Sequence, residues 1–233
     1  MTSLSSWRIV PRHNRLSRVS AAPEQFLTLS APLQHDSLPP EVALLLPNQD
    51  GVRALIPALR TVTIKSNGPL GLGLFLADPF FVVDHRIDAI KQAGITWVTN
   101  LPSVTQYDDS IALQLSEVQF NLNRELERLA SLKAAGFHIA VTVTDAAGAV
   151  EACGIDPEFL IVLPHVGDFG AGFPSFRQRG AAIDAIARAT KEVQWTGGIY
   201  GLGTAIEAES ESLWPDALDG LICRPQVYTQ DPH

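Results

Sequence analysis

"FLIVLPHVGDFGAGF", residues 159 to 173, begins as a strand fit for the middle of a sheet and ends as something else. Phe159, Leu160, Ile161, Val162 and Leu163 are apolar without alternation, as a strand covered on both faces requires. Behind them come Pro164, His165, Gly167, Asp168, Gly170 and Gly172. An imidazole, a carboxylate and three glycines directly after a buried strand admit two readings. One is a turn bonded to its own backbone. The other is a ligand site at the rim of a sheet.

The surrounding chain repeats one unit. "LGLGLFLA" (70–77) reads as a strand and runs into Asp78-Pro79. "DHRIDAIKQAG" (84–94) reads as a helix with Asp84 as its N-cap and Gly94 past its end. "ITWVTN" (95–100) is the next strand. Residues 115–136 read as one long helix, with Val118, Leu122, Leu126, Leu129 and Leu132 on one face. "FHIAVTVT" (137–144) is a strand, 145–153 a short helix, and 176–191 a helix with Ile183, Ile186 and Ala187 inward. "VQWTGGIY" (193–200) carries a strand, 203–213 a helix, and "LDGLICR" (218–224) a last strand. Apolar strands alternating with helices form a parallel sheet with helices outside. The expected architecture is therefore an α/β (β/α)8 TIM barrel.

The pattern is weaker before residue 70. "QFLTLS" (25–30) reads as a strand, and Val52, Leu55, Ile56 and Leu59 mark a helix over 50–60. This gives seven strands where a barrel needs eight. Either "WRIV" (7–10) supplies a short first strand, or the barrel is open, or a partner closes it. The expectation is a barrel incomplete or modified in its first β/α unit. An open parallel edge invites association, so a homo-oligomer or a partner subunit is expected. The domain reading is a basic arm over 1–22, one barrel domain over 23–228, and a tail over 229–233.

At 233 residues the chain fits one domain of the larger kind. It is 46% hydrophobic and 18% charged, which suits a folded chain and not a disordered one. No apolar run reaches membrane-spanning length, so no membrane is expected as partner. The net charge is −8, although the first 20 residues hold Arg8, Arg12, Arg15 and Arg18 and no acid. The acidic body argues against nucleic acid as a partner. Cys153 and Cys223 form no CxxC and suit a reducing, cytoplasmic setting.

Working residues of parallel barrels lie at the C-terminal ends of strands. Those positions here are Asp78, Asn100, Thr144 with Asp145, His165 with Asp168, Gly197 with Gly198, and Arg224. His165 can shuttle protons near neutral pH; alternatively it bonds a backbone carbonyl at its strand end. Asp168 orients that ring, binds a cation, or simply caps a turn. Asp78 brings a carboxylate, or makes a plain Asp-Pro turn. Asn100 can hold a substrate oxygen. Asp145 reads as a helix cap. The glycines of "GGIYGLG" (197–203) would let backbone amides approach an anion, where barrels often bind phosphate.

Some chemistries are excluded. Lys65, Lys91, Lys133 and Lys191 are the only lysines, and none sits at a C-terminal strand end, so a Schiff-base mechanism lacks its amine. There is no GxSxG elbow and no His/Cys cluster for zinc. No cofactor is implied by the residues alone, and a hard cation held by one or two carboxylates and water stays open.

Three motifs in order, "ADPF" (77–80), "NLPSV" (100–104) and "HVG" (165–167), resemble the phosphoenolpyruvate hydrolase-like barrels. That family shows T/A-D-P-F, N-F-P-T-V and H-M-G after successive strands, matched here by Asp78, Asn100 with Pro102, and His165 with Gly167. The resemblance spans about residues 40–225. It implies relatives of the phosphoenolpyruvate mutase and isocitrate lyase barrels, which act on small 2-oxo acids or enol phosphates, often with Mg²⁺. Two departures stand out: the family's opening Gly-rich loop is missing, and its small-residue loop after the last strand is replaced by "CRPQ" (223–226). Arg224 either restores positive charge for a carboxylate or closes the last strand at the surface.

The first expectation is thus a lyase or hydrolase acting on a small anionic 2-oxo acid or enol phosphate. His165 is its acid or base, assisted by Asp78 and Asn100. Gly197, Gly198, Arg224 and Asp168 bind the substrate. The alternatives are a degenerate, non-catalytic barrel serving as a binding or partner subunit, its cavity filled by Phe80, Phe169 or Phe173, and a rewired enzyme of a specialised biosynthetic pathway.

Overall fold

The computed structural model describes residues 5–10, 25–27, 69–107, 109–208 and 214–224. Eight parallel strands succeed one another in chain order and close into a barrel. They are β1 (Ser5–Val10), β2 (Gln25–Leu27), β3 (Leu70–Gly73), β4 (Trp97–Thr99), β5 (His138–Val143), β6 (Phe159–Val162), β7 (Gly198–Gly203) and β8 (Gly220–Cys223). β1 pairs with β2 on one side and with β8 on the other, Trp7 opposite Ile222.

The eighth strand is therefore the "WRIV" segment, extended by Ser5 and Ser6. It falls within the stretch expected to be a basic arm, so that part of the arm belongs to the sheet. Trp7 and Ile9 alternate along β1, and both are buried in the barrel interior. Their burial offsets the entropy lost in ordering a terminal segment. With β1 in place, none of the described strands leaves an open edge, and the edge argument for an oligomer or closing partner lapses. The connections between β1 and β2 and between β2 and β3, including the helix expected over 50–60, lie outside the described residues.

The pleat sorts side chains into two cores. In β3, Leu70 and Leu72 face the helices, leaving Gly71 and Gly73 toward the axis. In β6, Leu160 and Val162 face the helices, whereas Phe159 and Ile161 fill the interior. The interior alternates small with large: Gly71, Gly73 and Ala140 leave the space that Trp7, Trp97, Phe159 and Tyr200 occupy. That is how a barrel of this size fills its axis and remains a packed core, not a pore.

Six α-helices stand among the described residues: α1 (Ile87–Gln92), α2 (Asp109–Glu117), α3 (Leu122–Ala134), α4 (Ala146–Cys153), α5 (Phe176–Glu192) and α6 (Ala205–Ala208). The long helix expected over 115–136 is two. Gln119 takes a left-handed φ of 62°, and Asn121 caps α3 by accepting from the Arg124 N–H. Val118, expected on the buried face, is 61% exposed in the break. α1 begins later than expected, with Arg86 and not Asp84 at its N-cap. Asp145 is a cap, its Oδ1 accepting from the Gly148 N–H at 2.8 Å.

Candidate functional site at the end of β6

Past β6 the chain enters a 3₁₀ turn, Val166–Ala171, with His165 as its N-cap. His165 Nδ1 lies 3.2 Å from the carbonyl oxygen of Tyr107, on the loop after β4. A carbonyl only accepts, so Nδ1 carries a proton, and in the neutral ring Nε2 holds the lone pair. Asp168 Oδ2 accepts the His165 backbone N–H at 3.0 Å. The carboxylate thus holds the turn and not the ring. His165 is thus bonded to a backbone carbonyl and also lines a cavity.

That cavity has a volume of about 160 Å³. His165, Asp168 and Thr144 line it from the strand ends, and Gln178 and Arg179 line it from α5. Ser175 starts α5 through a capping box with Gln178. Arg179 sits one turn inside and is buried, on the same face as Ile183, Ile186 and Thr190. Its guanidinium donates to the carbonyl oxygens of Pro174 and Leu202 and to Glu207 Oε1 at 2.5 Å. Burial pushes its pKa down, and the Arg224 charge adds to this, while Glu207 opposes both. Glu207 is itself held by the Thr204 backbone N–H at 2.8 Å. The result is a clamp from α5 to the end of β7.

Arg224 comes directly after β8, and its backbone N–H donates to the Gly203 carbonyl oxygen. Its guanidinium carbon lies 4.6 Å from the centre of the Phe173 ring, and that of Arg179 lies 4.7 Å from the same ring. Two guanidinium groups thus lie against one aromatic ring beside His165's turn, and that of Arg179 is paired with Glu207. Phe169 and Phe173 pack, with Tyr107 and Val166, onto the interior cluster of Leu101, Leu163 and Leu202. Phe80 does not join them and is 74% exposed.

Asn100 departs from the sequence expectation. Val98 below it faces the helices, and Asn100 faces the same way. Its Nδ2 donates to Glu125 Oε2 at 2.7 Å, with Ser103 Oγ and the Thr142 carbonyl each at 3.2 Å. Its Oδ1 accepts the Thr142 backbone N–H at 2.7 Å. The amide is fully used in joining β4, β5 and α3, so it has nothing left for a substrate oxygen. Glu125 is fully buried, accepting from Ser103 Oγ at 2.7 Å and the Val104 N–H at 3.1 Å. Burial raises its pKa to about 7, although Asn100, Ser103, Val104 and Arg128 all pull it down.

Asp78 lies in the loop after β3, where its Oδ1 accepts the Phe80 N–H at 2.9 Å as in an Asx turn. Arg128 of α3 donates to the carbonyl oxygens of Leu76 and Asp78 and so pins this loop. No described contact joins Asp78 to His165. Gly197 and Gly198 stand at the wrong end for the expected role: β7 starts at Gly198, so both lie on the N-terminal rim of the barrel. The apolar run suggested a strand over 193–200, but Trp195 packs outside on the helix layer and pairing begins later. Among the described residues, no three His, Cys, Asp or Glu side chains gather to hold a metal ion.

Arg179 and Glu125 escaped the sequence reading although each left a signal. Arg179 opens the 179, 183, 186, 190 stripe of α5, and Glu125 falls on the 125, 129, 132 stripe of α3. A charge at a core position of a helix marks a buried network.

No family model matches this chain. It is 30% identical over 125 residues to "Uncharacterized protein y4oT" of Sinorhizobium fredii (strain NBRC 101917 / NGR234), across 54% of this chain and 63% of that one. The chain thus spans less than two thirds of the length of the curated relative it matches. Among solved structures it is similar to "Native KDPGal structure", at 13% identity and a TM-score of 0.49, over all of this chain and 88% of that one. It is also similar to "Structure of FabK from Thermotoga maritima", at 12% identity and a TM-score of 0.43, over 76% and 47% of the two chains. Likeness at this level carries no chemistry across. The likeness to phosphoenolpyruvate hydrolase-like barrels rests on the three quoted motifs alone, and one of the matched residues, Asn100, has a structural task.

Proposed function

We propose that this barrel is an enzyme, a lyase or hydrolase of a small carboxylated anion such as a 2-oxo acid or enol phosphate, with His165 as its acid–base group. The observation that carries the reading is the bond from His165 Nδ1 to the Tyr107 carbonyl, which leaves Nε2 as an acceptor in a residue lining the cavity with Thr144, Gln178 and Arg179. Nε2 takes a proton from a substrate hydroxyl or from water as the bond breaks, and returns it to the leaving group. Arg179 and Arg224 favour a negative substrate at this rim, and Thr144 and Gln178 orient it by hydrogen bonds. Asp168 shapes the turn. Asp78 and Asn100 have no step in this version of the reaction.

The test is a thermal-shift and turnover screen of oxaloacetate, phosphoenolpyruvate and related small carboxylates, with and without Mg²⁺. Stabilisation and turnover are expected with the intact chain. His165→Ala is expected to keep the fold and lose turnover by about 10²-fold or more. Turnover unchanged in His165→Ala would overturn the assignment.

A second reading is a barrel that binds without catalysing. Phe169 and Phe173 on the barrel interior favour it, since an aromatic plug at the mouth is what a scaffold would carry. Under that reading no small anion stabilises the chain and none is turned over.

A further inference from the structure

The loop after β4 serves two residues of the His165 cavity at once. The Thr105 carbonyl accepts from Thr144 Oγ1 at 3.1 Å, and the Tyr107 carbonyl faces His165 Nδ1 at 3.2 Å. Thr144 and His165 line the same cavity from the ends of β5 and β6. The two bonds commit the Thr144 hydroxyl hydrogen and the Nδ1 proton to the loop. With the ring neutral, these two residues therefore offer the cavity lone pairs, on Thr144 Oγ1 and on His165 Nε2. Which way both groups point is set by where the loop puts two carbonyl oxygens.

Glu125 of α3 holds that loop. Its Oε2 accepts from Ser103 Oγ at 2.7 Å, and its Oε1 accepts the Val104 N–H at 3.1 Å. Ser103 Oγ passes the contact on by accepting the Thr105 N–H at 3.2 Å. Gln106 closes the turn Val104–Gln106 by accepting the Ser103 N–H at 3.1 Å. Tyr107 follows at once, its N–H donating to the Val104 carbonyl at 3.3 Å. Ser103, Val104, Gln106 and Glu125 are all buried, so bulk water offers these groups no substitute partner. The carboxylate thus reaches the Tyr107 carbonyl through one short, bonded turn.

We propose that Glu125 is a positioning residue of the His165 site: it fixes the loop whose carbonyls aim the imidazole and the Thr144 hydroxyl, and touches neither. This role rests on the reading of His165 as the acid–base group. Glu125 occupies the same inward stripe of α3 as Leu129 and Leu132, where an apolar side chain would pack without the cost of taking a carboxyl out of water. What an apolar side chain lacks is a pair of acceptors with fixed direction. Asn100, at the end of β4, takes up part of that capacity, and Ser103 and Val104 of the loop take up the rest. The carboxyl stands where the helix layer meets the loop, and its bonds carry the rigidity of α3 to the rim.

The experiment reads the His165 ring directly, by ¹⁵N NMR of the histidine-labelled full chain at about pH 8, where an ordinary imidazole is neutral. The His165 signals are assigned by their absence in His165→Gln. The unmodified chain is expected to hold His165 in the Nδ1–H form. Glu125→Gln removes an acceptor for the loop, and Ser103→Ala removes the hydroxyl that relays the contact to Thr105. Each is expected to shift the ratio of the two neutral tautomers toward Nε2–H by roughly tenfold, as the loss of one ordinary hydrogen bond allows. Leu129→Ala, one turn along the same helix and in the apolar core, is expected to cost stability and leave that ratio unchanged. An unchanged ratio in both loop variants would overturn the proposal. So would an equal shift in Leu129→Ala, since Glu125 would then give α3 general support only. If Glu125→Gln does not fold, Ser103→Ala against Leu129→Ala decides the matter. The failures are distinguishable: an Nε2–H ring in the unmodified chain removes the observation behind the proposed function too, whereas Nδ1–H in every variant overturns the positioning role alone.

Discussion

His165, Glu125 and Gly197 each separate chemistry from architecture at the scale of one residue. His165→Gln preserves a donor toward the Tyr107 carbonyl but lacks a base, so the fold is expected to survive while turnover falls, as kcat at saturating substrate would read. Glu125 gives a pH signature. Its pKa of about 7 in the folded chain exceeds the ordinary 4.5, so the folded state binds the proton more tightly than the unfolded one. The stability this adds is fully present below about pH 4.5 and is lost as pH rises through about 7. Urea midpoints are expected to fall across that window, and Glu125→Gln is expected to flatten the fall at some cost at every pH, because Asn100, Ser103 and Val104 all donate to this position. Gly197→Ala collides with Trp195 and the Glu158 carbonyl and is expected to cost about 1–3 kcal/mol in denaturant melts. The environments of Glu125 and His165 are not readable from neighbours in sequence: Glu125 meets Asn100 across 25 positions, and His165 meets Tyr107 across 58.

Among the elements, α5 is the one that joins the site to the barrel. Its inward stripe of Ile183 and Ile186 was evident from spacing, and its bounds, Phe176–Glu192, differ from the expected 176–191 by one residue. The stripe's first member is Arg179, whose bonds to Leu202 and Glu207 hold the helix to the end of β7. Arg179→Met is expected to leave Glu207 mostly buried without its partner and to cost about 3–5 kcal/mol, whereas the paired change with Glu207→Gln recovers much of that loss. A double-mutant cycle by chemical denaturation measures the difference. The break between α2 and α3 taught the reverse lesson. Spacing carried an apolar face straight through Val118, because periodicity is blind to a left-handed Gln119 and to the Asn121 cap.

For the whole molecule, closure depends on β1. Trp7 and Ile9 are the only described side chains that β1 adds to the interior, and Trp7 touches both Trp97 and Phe159 across the axis. Trp7→Ala is expected to cost about 3–5 kcal/mol and to expose the β2 and β8 edges as β1 detaches. Light scattering would report the resulting association. In the intact chain the closed sheet of described strands supplies no edge for self-association.

The barrel was legible because hydrophobic runs alternate with helical stripes, and local patterning of that kind acts through neighbours a few residues apart. β6 with its His165 turn, the α4 cap at Asp145 and the stripe of α5 all arise from such short-range rules. The direction each strand-end residue faces was not legible. Asn100 turns to the helix layer because it shares the parity of Val98 in the pleat, and Gly197 falls on the lower rim because β7 begins only at Gly198. Only the closed tertiary arrangement brought Arg179 and Arg224 to Phe173, and Trp7 and Trp97, far apart in the chain, into a single aromatic floor. Distant residues meet through packing of the whole sheet, and no local pattern records which of them will face each other.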